Sequence, residues 1–340
     1  MTVFIPQNEL SDENIAAAGE ILRRGGLVVF PTETVYGLGA NALDGKAAKK
    51  IYAAKGRPSD NPLIVHIASP KDAEDIACTN EAYYKLASAF MPGPLTVILP
   101  KREVIPSATS GGLDTVGVRC PSHPVAHRLI LSAGVPIAAP SANLSGKPSP
   151  TKADHIRADL EGKVDMILDG GEAAVGVEST IVKLDADGTA TLLRPGGITH
   201  EMLQRVLGRV DIASAVTEAL PKDARPLSPG MKYRHYAPRA PLTLLDGDDA
   251  RRIAYCQKAP ADTLLLVFDE ETDLFAGHKV VPLGKKADKQ SQLHRLFAAL
   301  IEADAEDPRQ ILAPLPATDG LSLALYNRLC RAAAHHIKKL

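Results

Sequence analysis

The chain has 340 residues, 45% of them hydrophobic, and sets 39 Lys and Arg against 40 Asp and Glu for a formal net charge of -1. That length supports two hydrophobic cores rather than one, and the even charge argues against a protein that holds nucleic acid mainly by basic excess, while leaving a local basic groove open. No apolar run approaches a membrane span, MTVFIPQNEL does not read as a signal peptide, and four scattered cysteines without a CxxC pair fit free thiols in a reducing cytosol better than a disulfide frame.

In chain order, the pattern predicts a helix from Ser11 to Arg24, closed by Gly25-Gly26, then a short buried strand from Leu27 to Phe30. In LVVFPTETVYGLGA (27–40), Pro31 stops that strand and Thr32-Glu33-Thr34 follow it. Gly37 and Gly39 then allow close backbone approach. Polar groups at a strand exit suit ligand binding, and they equally suit a turn that satisfies its own amides. A second helix follows from Asp44, as cap, to Ala54, with Ala47, Ala48, Ile51 and Tyr52 on its apolar face. It runs into KGRPSDNPLIVH (55–66). Lys55 and Arg57 on this stiff loop suit a polyphosphate, and equally suit a solvated helix C-terminus. No GxxxxGK[ST] occurs, and GLGANA lacks the third glycine of a dinucleotide fingerprint.

Strands are expected at Leu63–Ile67, Leu95–Leu99, Thr115–Arg119, Val135–Ala139, Met166–Leu168, Ser179–Lys183 and Thr191–Leu193, which makes a mixed α/β sheet with long loops. Arg119 at a strand end can grip a carboxylate with two bonds. His123 and His127 lie four apart but without HExxH, a weak metal signal. The loop in PIAAPSANLSGKPSPT (136–151) gathers Ser141, Asn143, Ser145 and Lys147 with almost no bulk. GxSxG is absent, so Ser141 is a poor nucleophile candidate. GVESTIV (176–182) and LLRPGGI (192–198) add polar strand edges and Arg194. From Gly208 to Ala240 the pattern loosens, and PKDARPLSPGMKYRHYAPRAP reads as a linker. Beyond it, strands at Leu242–Leu245, Thr263–Phe268, Val280–Leu283 and Ile311–Leu315 alternate with helices at Ala250–Gln257, Gln290–Ala303 and Leu321–His336. The reading is thus a larger mixed α/β domain over 1–207, which carries the candidate site loops, a linker over 208–240 and a small doubly wound α/β domain over 241–340.

At FPTETVYGLGA, KGRPSDNPLIVH, PGPLTVIL, VGVRCPSHP, APSANLSGKPSPT, GVESTIV and LRPGGI the sequence resembles the YrdC/Sua5 family, the threonylcarbamoyl-AMP synthases of tRNA modification. These motifs stand in the family's order over roughly residues 12–200. PGMKYRHYAP and DGLSLALYNRLCRAA resemble its long form, in which a linker leads to a Rossmann-like C-terminal α/β domain. The resemblance implies that L-threonine, bicarbonate and ATP become threonylcarbamoyl-AMP and pyrophosphate. A separate tRNA-modifying transferase system then carries the group to adenosine 37 of tRNAs reading codons that begin with A. Weak contact with tRNA itself would fit this setting. It further implies that Lys55, Arg57, Asn61, Thr115, Ser141, Asn143, Ser149, Arg194 and Tyr236 face ATP, and that Lys55, Arg57, Ser141 and Asn143 carry the chemistry. Thr34, His66, Arg119, Ala139 and Ser179 would hold threonine. The linker would act as a lid, with Tyr236 over the nucleotide. Magnesium is expected on ATP, held by phosphate oxygens and water, and the setting is cytoplasmic, away from any membrane.

Two other classes compete. An RNA-binding module would lose affinity steeply with salt and turn over no ATP. A carbamoyl transferase of the hydrogenase-maturation kind would carry acylphosphatase-like and zinc-finger segments, which this sequence does not resemble. A pyridoxal-phosphate enzyme built on Lys55 lacks an aspartate or phosphate cup at suitable spacing.

Overall fold

Capping chemistry sets the first helices. The Ser11 hydroxyl accepts from the Asn14 amide at 3.2 Å and starts a helix over Asp12–Arg23. The Asp44 carboxylate accepts from the Lys46 amide at 2.8 Å and starts another over Gly45–Lys55. Gly56 takes φ 59°, the left-handed conformation that glycine adopts at no steric cost, so Lys55 is the last helical residue. The computed structural model describes residues 1–185, 187–218, 228 and 235–340; most of the proline-rich stretch read as a linker lies outside them.

Strands β1 (Val3–Ile5), β2 (Val28–Phe30), β3 (Gly37–Asn41), β4 (Ile64–His66), β5 (Leu95–Pro100), β6 (Thr115–Arg119), β7 (Ile137–Ala139), β8 (Met166–Leu168), β9 (Thr180–Leu184), β10 (Ala190–Arg194) and β11 (Asp211–Ile212) form one sheet. Their order is β1-β8-β2-β3-β7-β4-β6-β5-β9-β10-β11, with parallel and antiparallel neighbours mixed. This is the α/β class that the sequence predicts. One end of the sheet packs Val28, Phe30, Ile137 and Ala139 against Ala18 and Leu22 of the first helix and Leu129 of the helix over Pro124–Ala133. Towards the other end, Ile64, Ile98, Ile181, Leu193 and Ala215 form a smaller cluster.

Three segments depart from the sequence reading. The stretch read as an open loop at Gly37–Ala40 is β3, antiparallel to β2 and β7. Its glycines hide a strand because strand propensity reports side-chain packing, and here Leu38 and Ala40 alone supply it. Residues 208–218, read as the start of a linker, continue the sheet through β11, and the short 3-10 turn after it buries Ala215 and Val216. The last helix, read to His336, ends at Ala332. Ala334 and His335 then turn the chain through positive φ into a strand.

The chain forms two compact units. The first holds Met1–Ser145, Ser149–Ala174 and the described part of Glu178–Lys232. The second holds Gly146–Pro148, Val175–Val177 and the described part of Tyr233–Leu340. Its sheet is wholly parallel: β12 (Leu242–Asp246), β13 (Thr263–Val267), β14 (Lys279–Pro282), β15 (Gln310–Pro314) and β16 (Ile337–Lys339), in the order β14-β13-β15-β12-β16. Helices Asp249–Gln257, Lys289–Ala305 and Ser322–Ala332 provide three of the crossovers that parallel pairing demands. Among the described residues no helix is long and apolar enough to cross a membrane.

Candidate functional site

The cations that close the second helix are buried. Lys55 is 2% exposed and Arg57 9%, so the solvated-terminus reading does not hold. The Lys55 ammonium donates to the Ser141 carbonyl at 2.5 Å and also to the Asn143 carbonyl, while the Lys55 carbonyl accepts from the Ser145 amide at 2.9 Å. One residue thus stitches the helix end to the 140–145 loop. Burial, with Arg57 alongside, pushes the Lys55 ammonium well below the usual lysine range. Arg57 donates to the Pro62 carbonyl at 3.1 Å, and the buried Asn61 side-chain oxygen has no donor among the described residues. Ser141 donates to the Asn143 side-chain oxygen at 2.5 Å, and Ser149 to the Glu178 carboxylate at 2.7 Å.

A second group sits on one face of the sheet. The register puts His66 of β4 beside Arg119 of β6, and Arg119 opposite Thr96 of β5. The loop after β2 folds across this face rather than ending at the rim. Its Thr32 hydroxyl accepts from Arg119 at 3.4 Å, and Glu33 pairs with Arg119 at 2.8 Å and accepts from the Ser122 amide at 3.2 Å. The Thr32 and Thr34 hydroxyls share a hydrogen bond of 2.8 Å. Phe30 meets the His66 ring edge-on at 5.9 Å. Burial and the Arg119 charge push the His66 imidazole down to about 3, so it is neutral at ordinary pH. Ser179 shares a hydrogen bond of 2.7 Å with Thr96 and accepts from Arg194 at 3.2 Å. Arg119 Nε is buried and donates to nothing among the described residues.

β7 joins the two groups: Ile137 lies beside His66, Ala139 beside Ile64, and the strand runs on into the Ser141 loop. Thr115 shares the face of Arg119, four residues and about 13 Å along β6. Gly117 lies between them. A Cβ there would stand 3.2 Å from Thr96 Cγ2. Without it, Ile64, Thr96, Ile98, Thr115 and Ile181 line a shallow recess. Tyr236 belongs to the second unit, where it is 3% exposed with its ring centroid 5.0 Å from Phe297. His123 caps the helix it precedes, accepting from the Val125 amide at 3.2 Å.

Sequence reasoning names Glu33 among the polar groups at a strand exit without a role, and passes over three residues that the structure ties into these groups: Thr96, Gly117 and Glu178. Glu33 and Glu178 sit inside quoted motifs, as carboxylates flanked by hydroxyl residues, and that was a usable signal. Thr96 and Gly117 look like ordinary strand interior and gave none. Together, two sets of buried donors on adjoining strands can hold two anionic molecules side by side. The open guanidinium nitrogen and the undonated Asn61 oxygen are what a ligand would complete.

Two family models match: Sua5_yciO_yrdC, described as telomere recombination, over residues 20–196, and Sua5_C, described as the threonylcarbamoyl-AMP synthase C-terminal domain, over 198–334. A threonylcarbamoyl-AMP synthase of Bacillus subtilis is 44% identical over 97% of this chain and 96% of its own length. One of Pyrococcus abyssi is 45% identical over 100% of both. The crystal structure of Pyrococcus abyssi Sua5 complexed with L-threonine superposes with a TM-score of 0.90 at 43% identity, covering 100% of this chain and 99% of that one.

Proposed function

The chain belongs to the Sua5/YciO/YrdC family, and we propose that its site makes threonylcarbamoyl-AMP from ATP, L-threonine and bicarbonate, for threonylcarbamoylation of tRNA. The observation that carries this reading is Arg119. It is a buried guanidinium with an open Nε, flanked by hydroxyls and a neutral imidazole, and β4 alone separates its strand from β7, which leads to Lys55's partners. An amino-acid carboxylate supplies the acceptor that Arg119 lacks. Glu33 keeps the guanidinium turned towards the ligand.

In this reading Thr34 and Ser179 meet the threonine hydroxyl and amine, with Ala139 as a small wall. Neutral His66 accepts or donates one hydrogen bond without repelling the ammonium. Lys55, Arg57 and Arg194 face the triphosphate, while Asn61, Ser141, Asn143, Ser149 and Thr115 orient the nucleotide. The threonine amine captures carbon dioxide, formed from bicarbonate and a proton with release of water, its own proton leaves to solvent, and the resulting N-carboxylate attacks the α-phosphorus. The bond to the β,γ-diphosphate breaks and pyrophosphate departs with that electron pair. This is nucleotidyl transfer, and positioning with charge neutralisation does most of its work, so no protein nucleophile is required. Magnesium is proposed to arrive on the triphosphate. Among the described residues no three His, Cys, Asp or Glu side chains gather to hold a metal, and the groups beside the proposed phosphate position are cations and carbonyls. The adenylate is then consumed by a tRNA-modifying transferase system, a partner that the family relationship supports.

The division of roles is tested by kinetics. Lys55→Ala and Arg57→Ala should raise the KM for ATP by at least about tenfold each, and Arg119→Ala should raise the KM for threonine by a similar factor. Equal loss for both substrates in all three variants contradicts the assignment.

A further inference from the structure

The second unit has a cavity of its own, built by the parallel sheet. Four strands end at it: Leu245 and Gly247 come from the end of β12, Phe268 follows β13, Leu283 follows β14, and Pro314 closes β15. Its volume is 190 Å³. An apolar cavity of about 150 Å³ accepts benzene, so this one accommodates a six-membered ring with one further group. Ligands of open parallel sheets bind outside the carboxyl ends of the strands.

Among the cations at the cavity, Lys289 stands apart. Arg252, 3% exposed, donates to Glu271 at 2.9 Å and to Asp249 at 3.0 Å, and Lys286 pairs with Asp249. Lys289 has no carboxylate partner among the described residues. Its ammonium donates to the Lys286 carbonyl at 2.9 Å and lies 5.7 Å over the Phe268 ring. Asp249 and Glu271 answer Arg252 and Lys286, and Glu270 accepts from the Lys286 amide at 3.0 Å, so Lys289 is the lining cation left without a carboxylate, beside an apolar floor of Leu245, Phe268, Leu283 and Leu296.

We propose that this cavity binds a small organic anion: one carboxylate or phosphate head held by Lys289, and an apolar ring or branched body of about six heavy atoms on the leucine floor. The site lies wholly within the second unit and does not depend on the reaction proposed for the first.

Benzoate, phenyl phosphate and the neutral isostere benzyl alcohol serve as probes, titrated into the full chain by calorimetry or ligand-observed NMR. At least one anion should bind saturably with a Kd on the order of 1 mM, and benzyl alcohol at least about tenfold more weakly. Lys289→Gln should weaken the anion by about tenfold. Ala317→Trp, at an exposed position on the rim, should abolish binding while the unfolding midpoint stays unchanged. Absence of saturable binding by either anion overturns the proposal. So does equal binding of the alcohol, or binding that neither variant alters.

Discussion

Lys55 and His66 are both fully buried bases whose burial disfavours the charged form, and each predicts a different pH effect. Phosphate oxygens beside Lys55 favour its ammonium form, so ATP binding should raise the Lys55 pKa and take up protons wherever the pH lies between the free and bound values. Calorimetry in two buffers of different ionisation enthalpy measures that uptake, and Lys55→Met should reduce it; equal uptake by wild type and variant contradicts the role. For His66 the folded state resists protonation down to about 3, whereas the unfolded chain protonates near the ordinary value of about 6.5. Below about pH 6.5 the unfolded state therefore binds the extra proton, and stability falls on acidification. The loss from this one residue is up to about 1.4 kcal/mol per pH unit. Denaturant midpoints measured between about pH 6.5 and 5 should fall less steeply in His66→Gln than in wild type. Parallel slopes in the two proteins contradict a buried neutral imidazole.

At the scale of elements, the site depends on β6. Period-two alternation puts Thr115, Gly117 and Arg119 on one face, and Gly117 keeps that face low between the other two. Gly117→Val should fill the recess, lower kcat/KM by at least about tenfold, and cost about 1–3 kcal/mol of stability from crowding against Thr96. Wild-type kcat/KM in a folded variant rules the recess out as part of the site. The sequence already marked β6 and β8 with their observed ends, and both capped helices to within one residue, because Ser11, Asp44, the alternation in β6 and the continuous apolar run of β8 are local signals. It could not read β3, whose Gly-rich composition denies a propensity signal, nor β16, which exists only because Ile337 finds Leu244 across the sheet. The ligand groups followed the same division. Lys55, Arg57 and Arg119 were legible as cations on stiff loops and strand ends. Their burial, the Glu33 counter-charge and the Thr96–Ser179 contact come from strand register, which no single window contains.

For the whole molecule, two sheets of different kinds have different tasks. The mixed sheet of the first unit gathers hydroxyls and buried cations from seven motifs far apart in sequence, so a chain of near-zero net charge still brings Lys55, Arg57, Arg119 and Arg194 into its site groups. The parallel sheet of the second unit carries its own apolar cavity at its strand ends. The central claim, that threonine and bicarbonate are joined to AMP at the expense of ATP, is tested most directly by pyrophosphate release from the intact chain. ATP, L-threonine and bicarbonate together should yield pyrophosphate and threonylcarbamoyl-AMP in equal amounts, and omission of either co-substrate should reduce release to background. Pyrophosphate formed at the same rate without threonine or without bicarbonate contradicts the account.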